Sequence, residues 1–360
     1  PPPPQQQQQQ QQRQPRALSS AASPLRRGRF SRAELWAWRA VYLAGFLLLV
    51  AHRKRCDRAI ESLWAYLNRK GWAQIDSFEP IVASIAFFIE IGVWKLVDLL
   101  GQRALRRYKI DPAHDPIKEE GGAFEFFSPV GTKDKPGFIA LFFYLSPLIV
   151  FDILFPRRTE RAYFHLPPPT ALQLMANLAL SLFTYDLLYY FPHLLMHRNV
   201  SLFRMIHSKH HRMNRLCAVE VVRHTLWDGI LQVGANIITL NFLGLDAFTR
   251  AAHNIAVTYM LTEIHSGYDF PWMIHNILPR GVLAGSPVHE AHHRDGTASY
   301  HQFFTYFDKL FGLEYEEVDG VLNTRGRHCD NIHNNIEMIR TFNNSGPETN
   351  ANKLQFQKVK

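Results

Sequence analysis

"ALQLMANLALSLFTYDLLYYF" (residues 171–191) is long and apolar enough to be a helix that crosses a bilayer, and it runs through Pro192 straight into "HLLMH" (193–197). On that helix His193 and His197, four residues apart, share one face. Two more clusters follow. "HSKHH" (207–211) holds His207, His210 and His211, and "HEAHH" (289–293) holds His289, His292 and His293. Read as helices, both are i, i+3, i+4 sets whose three imidazoles project from one side. Together the clusters supply eight imidazoles, whereas a single zinc site takes only three or four protein ligands, so the supply suits two metals. Imidazole binds iron, zinc, copper and nickel, and ligand type alone does not name the metal.

The rest of the chain fits a membrane setting. The 360 residues are 47% hydrophobic with 26 Phe, and polarity is concentrated at the ends and between apolar blocks. "LWAWRAVYLAGFLLLVA" (35–51, with Arg39 inside), "PIVASIAFFIEIGVWKLVDLL" (80–100, interrupted by Glu90 and Lys95) and "GFIALFFYLSPLIVFDILF" (137–155) join the 171–191 block as spans. "DGILQVGANIITLNFLGL" (228–245) and "AFTRAAHNIAVTYMLTEI" (247–264) are weaker, and read as spans, re-entrant helices or caps lying on the membrane. The net charge of +9 is gathered in "RRGRFSR" (26–32), "HRKRCDR" (52–58), "RALRRYK" (103–109) and "RRTER" (157–161). Each lies beside an apolar block, as membrane flanks do, rather than forming the stripe of a nucleic-acid binder. Basic flanks on both sides leave the orientation open. Cys56, Cys217 and Cys329 show no pairing pattern, which fits a reducing compartment.

The expected architecture is therefore all-α: an integral membrane helical bundle of about four spans with a histidine-rich metal-binding helical cap. Four segments follow: a low-complexity, disordered tail over 1–30, N-terminal membrane helices and loops over 31–136, a histidine-box domain over 137–313, and a polar tail over 314–360. The opening on Pro1 fits a fragment or a processed product, without a clean signal peptide or cleavage site, and the terminal "QKVK" matches a dilysine retrieval signal only loosely.

Supporting residues are also expected. Asp186, two turns before His193, shares its face and would accept an imidazole N–H; an Asp inside a span is costly and so functional by default. Tyr190 does similar work or marks the membrane interface. Glu290 reads as a solvated residue, His253 and His275 as structural, and His301 as either. His265 in "HSGYDFPW" and His224 in "VVRHT" are further candidate ligands.

"DLLYYFPHLLMHR" (186–198), "HSKHH" and "HEAHH", in that order, resemble the three histidine boxes of the fatty acid hydroxylase superfamily of membrane di-iron oxygenases. The resemblance runs from about 140 to 313. "HSGYDFPW" (265–272) and "FTYFDKLFG" (304–312) are similar to stretches of its sterol C-4 methyl oxidases and cholesterol 25-hydroxylase-like proteins, which usually carry Asp where Glu290 stands. The resemblance implies iron ligation by His193, His197, His207, His210, His211, His289, His292 and His293, with His265 and His224 next in line. It implies two iron ions and O2 as cofactors, and a sterol or other lipid as substrate. Without a GxGxxG fingerprint in the chain, electrons would come from NAD(P)H through an external donor, cytochrome b5 or its reductase, at the endoplasmic reticulum membrane. A lipid desaturase or fatty-acyl hydroxylase on the same scaffold is the alternative, and a membrane metal transporter a remote one. A transporter would place its ligands at mid-span rather than at a span end.

Overall fold

The structure is a computed structural model. It describes residue 28, residues 30–101, 104–119, 165–212, 215–318 and 321–324, and short pieces at 149–150 and 153–154. Most of the tail expected over 1–30, most of the one expected over 314–360, and most of the apolar block at 137–155 lie outside these residues.

Among the described residues three helices are long and apolar enough to cross a membrane: α1 (Arg32–Ala51), α3 (Phe78–Gly101) and α4 (Ala171–Arg198). The beginnings of α1 and α4 follow ordinary capping chemistry. The Ser31 hydroxyl accepts the Glu34 N–H while the Glu34 carboxylate accepts the Ser31 N–H, and Thr170 and Gln173 repeat the exchange at the start of α4. No residue of α1 is buried, and Trp36, Leu43, Leu47 and Leu48 face outward, as a lipid-facing helix requires. Between α1 and α3 lies α2 (Arg53–Arg69), whose single buried residue, Trp64, packs on Phe78 and Phe248.

The two weaker apolar segments are α5 (Leu226–Phe242) and α6 (Ala247–Ile264), and both pack into the bundle. Buried polar pairs fix how they sit. Arg250 of α6 donates to Glu79 of α3 at 3.0 Å, and breaking such a buried pair costs about 3–5 kcal/mol. His253 of α6 bonds Ser181 of α4 and Asn236 of α5, each at 2.8 Å, which ties three helices at one level. Tyr185, Tyr189, Met196, Val257, Ile264 and Phe303 form the apolar core between them. His253 and Ser181 each precede the histidines of their own helix end by twelve residues, His265 and His193. Both chains thus deliver imidazoles to the same end of the bundle, about 18 Å further on.

At that end, after α6, the chain holds one short helical turn, Ile274–Ile277, before α7 (Gly285–Asp295) and the short α8 (Tyr306–Phe311). The fold is helical as expected, with one addition. Past residue 313 the chain forms an antiparallel hairpin, β1 (Tyr315–Val318) with β2 (Val321–Thr324), Tyr315 opposite Thr324. Tyr315 is buried against Ala284, Val288, Ala291 and Ala298, so part of the segment expected to be a solvated tail packs on α7.

Gly285 opens α7 at φ +72°, and a Cβ there would run into the His275 ring. Gly285→Ala should therefore cost about 1–3 kcal/mol and shift the helix that carries His289, His292 and His293. A thermal melt together with a metal assay checks this, with Gly92→Ala, which meets open space, as the silent control.

Candidate metal centre

The histidines converge. Among the described residues two groups of metal-ligating side chains form, each with ligand atoms within 4.8 Å of one another and every member buried. His193, His197, His207, His211 and His292 make the first; His210, His265, His289 and His293 make the second. The groups adjoin: the His211 and His293 rings stack with centroids 4.5 Å apart.

Local backbone explains this distribution. His193 and His197 occupy the last turns of α4, as the four-residue spacing dictates. "HSKHH" is not the regular helix expected. Asn199 caps a short turn by accepting the N–H groups of Ser201 and Leu202, the chain widens into a π-helical turn at Phe203–His207, and it tightens into a 3₁₀ turn at His210–Arg212. The change of winding sends His207 and His211 into the first group and His210 into the second. "HEAHH" lies on α7, but its three imidazoles also divide: His289 and His293, one turn apart, enter the second group and His292 the first. His265 follows the end of α6 and completes the second group, whereas His224 joins neither, its ring 6.4 Å from that of His210.

The donor set fits metal. Two imidazole nitrogens about 2.1 Å from a shared cation lie about 3.0 Å apart at a right angle and about 3.4 Å apart at a tetrahedral one. The facing Nε2 pairs match that range: His193–His207 at 3.0 Å, His265–His289 at 3.1 Å, His289–His293 at 3.2 Å and His210–His265 at 3.4 Å. Both ring nitrogens of His197 and His211, and Nε2 of His292, are buried with no hydrogen-bond partner. Such atoms are expensive to leave unmet, and a cation would meet them.

Oxygen atoms on the outer side set the tautomers. His193 Nδ1 lies 2.5 Å from the Tyr300 carbonyl, His292 Nδ1 2.8 Å from that of Ala298, and His265 Nδ1 2.7 Å from that of Leu261. A carbonyl only accepts, so each Nδ1 carries the proton and leaves the Nε2 lone pair for the interior. His207 Nδ1 has a carboxylate partner, Asp228 Oδ2, at 2.7 Å, and Asp228 Oδ1 accepts the Tyr189 hydroxyl at 2.9 Å. Burial and neighbouring imidazoles push His210, His211, His289 and His293 well below the usual histidine range. Chiefly through burial, His265 falls to about 4 and His292 to about 3. All are neutral at pH 7, the form in which an imidazole binds metal.

The supporting residues differ from expectation. Asp186 touches no box imidazole; its carboxylate accepts the backbone N–H groups of Gln302, Phe303 and Phe304 at 2.7–3.1 Å. Seven residues do bring it to the histidine face of α4, but the 298–305 loop lies over that level and its unpaired N–H groups take the carboxylate. Tyr190 likewise donates to Asp308 at 3.1 Å rather than to an imidazole, and Asp308 accepts the N–H groups of Tyr300 and His301. Asp186 and Asp308 thus pin the loop whose carbonyls hold His193 and His292. Glu290, read as solvated, is buried and paired with Arg294 at 2.9 Å, because α7 is covered on that side as well. His253 and His275 stand outside both groups, His275 against Asp269 at 3.0 Å, and His301 is paired with Asp308.

Sequence reasoning missed Asp228 and Asp308. Both signals were there: an acid three residues after the cap Thr225 at the head of an apolar helix, and the acid inside "FTYFDKLFG". Asp228→Asn should weaken metal binding by about 10–100-fold through loss of the His207 anchor, with helix content unchanged. Chelator competition followed by circular dichroism checks both halves of that expectation.

The comparisons agree with this geometry. Residues 178–313 match the fatty acid hydroxylase family, a metal-dependent oxygenase family. The chain is 27% identical to a cholesterol 25-hydroxylase-like protein of Danio rerio over 68% of this chain and 94% of the relative. It is 26% identical to the cholesterol 25-hydroxylase of Homo sapiens over 70% and 89%. It is 33% identical to a provisionally assigned methylsterol monooxygenase of Dictyostelium discoideum over 41% and 54%. No solved structure matched the chain significantly. The matched segment runs from within α4 to just past α8 and contains every histidine of both groups.

Proposed function

We propose that this chain is a membrane monooxygenase that inserts oxygen into a C–H bond of a sterol, using two iron ions held by the paired histidine groups. The observation that carries the reading is the adjacency of two buried all-histidine groups, one of five and one of four, at the end of membrane-length helices. The assigned ligands are His193, His197, His207, His211 and His292 for one ion, and His210, His265, His289 and His293 for the other. His224 stands by as a neighbour of His210. Relatives named for cholesterol and methylsterol oxidation support the sterol class.

An unactivated C–H bond resists acid–base chemistry, and bound iron supplies the activation of O2 that it needs. The remaining work falls to this chain. The Tyr300, Ala298 and Leu261 carbonyls and the Asp228 carboxylate hold four imidazoles in one tautomer. Buried Tyr189, Tyr300 and Phe303 would keep water from the site, and exposed apolar side chains on α1, α3 and α4 support an approach of the substrate from lipid. One oxygen atom of O2 enters the substrate as a hydroxyl. The other leaves as water, with two electrons and two protons delivered from outside.

The proposed donor is cytochrome b5 or its reductase, fed by NAD(P)H at the endoplasmic reticulum membrane, and the proposed oxygenase unit covers 137–313. The histidine groups lie at the end of the spans rather than at mid-span, which disfavours a transport path.

Microsomes expressing the chain, given NADPH, ¹⁸O₂ and a lipid panel, should yield a sterol that carries one ¹⁸O by mass spectrometry. His292→Ala should abolish turnover and lower bound iron while leaving membrane insertion intact. An unchanged rate in that variant would remove the ligand assignment, and labelled fatty-acyl products alone would move the substrate to another lipid class.

A further inference from the structure

The bundle contains a polar feature that the metal groups do not use. Glu90 sits at the middle of α3, half-buried, between the outward-facing Ile89 and Val93 and the buried Phe87 and Ile91. A carboxyl group at mid-span is costly and calls for a partner. Its Oε1 accepts from the Thr258 hydroxyl of α6 at 3.3 Å, but its Oε2 is buried with no hydrogen-bond partner. One turn along α6 is the fully buried Thr262, and Tyr259 donates to Glu263 at 2.5 Å. Ile255 and Tyr259, each 44% exposed, border the same seam on the outer side of α6. The seam between α3 and α6 therefore offers a carboxylate oxygen without a hydrogen bond beside the Thr258 hydroxyl, which also donates to the Asn254 and Ile255 carbonyls at 2.9 and 3.0 Å, within exposed apolar walls.

Its level relative to the metal site follows from helix geometry. Thr258 precedes His265, a member of the four-histidine group, by seven residues on a helix running toward that group. At 1.5 Å per residue the separation is about 10 Å along the axis.

We propose that Glu90 and Thr258 form the subsite for the hydroxyl group of the sterol, which lies in the α3–α6 seam with its hydrocarbon end toward the histidines. The proposal rests on the sterol reading above and makes it more specific. A hydroxyl anchored about 10 Å from the histidine level keeps the methyl group on the neighbouring ring carbon out of reach. The oxidised carbon is then one remote from the hydroxyl-bearing ring. The competing role for Glu90, a bond that merely joins α3 to α6, predicts a change in stability but none in hydroxyl selectivity.

The test uses the full chain, purified with its metal into nanodiscs, and measures equilibrium binding of cholesterol and of its analogue lacking the hydroxyl. The wild type should prefer cholesterol about tenfold, the worth of one hydrogen bond to a charged or polar group. Glu90→Leu should bind both at the analogue's affinity with bound iron unchanged. Glu90→Gln, which still hydrogen-bonds, should keep most of the preference, and Thr258→Val should lose part of it. A Glu90→Leu protein that retains the preference overturns the subsite, as does a wild type that binds both sterols equally. A wild type that binds neither overturns the sterol reading and the subsite with it. Oxygen recovered on a carbon next to the hydroxyl-bearing one overturns the placement.

Discussion

Nine imidazoles packed into one buried volume create a hydrogen-bonding problem that shapes everything around them. A neutral ring has one N–H to give and one lone pair to satisfy, and an unmet buried polar group costs about 1–3 kcal/mol. For four of the rings the N–H goes outward, to the carbonyls of Tyr300, Ala298 and Leu261 and to Asp228. The lone pairs turn inward, where nitrogen faces nitrogen at 3.0–3.4 Å. Such an arrangement is unfavourable in an empty interior and favourable around cations. Metal binding at these groups would therefore be coupled to the folding of this end of the bundle.

The outer ring of acids belongs to the same solution. A carbonyl orients an imidazole only if its own loop is held, and the 298–305 loop is held by Asp186 from α4 and by Asp308 from α8. Tyr190 adds its hydroxyl to Asp308 and so links the C-terminal part of α4 to the loop. Further down the bundle the His253 bridge and the Arg250–Glu79 pair keep α3, α4, α5 and α6 in register. The depth at which His193 and His265 emerge is thereby fixed, and so is the distance from the metal site to any group bound at mid-span.

Much of this was legible in the chain, and the parts that were not share a cause. Local spacing exposed the span that ends in His193 and His197, because both the span and the pair lie on one regular helix. The histidine boxes were legible from their short local spacing, but their division into groups of five and four was not. It depends on the change from π-helical to 3₁₀ winding around His207–His211, which no periodicity encodes. Asp186 and Tyr190 were placed on the right face and given the wrong partners, since a loop more than a hundred residues away occupies the space between them and the imidazoles. The contact of Asp228 with His207 and the burial of the i,i+4 Glu290–Arg294 pair come from tertiary packing. The hairpin at 315–324 escaped because its strands are four residues each and largely polar.

The central claim is that the two histidine groups are two separate iron sites. Anomalous diffraction at the iron absorption edge from crystals of the metal-loaded chain tests it most directly. Two iron peaks, one among His193, His197, His207, His211 and His292 and the other among His210, His265, His289 and His293, are the predicted result. A single peak, or an edge that identifies zinc alone, would contradict it.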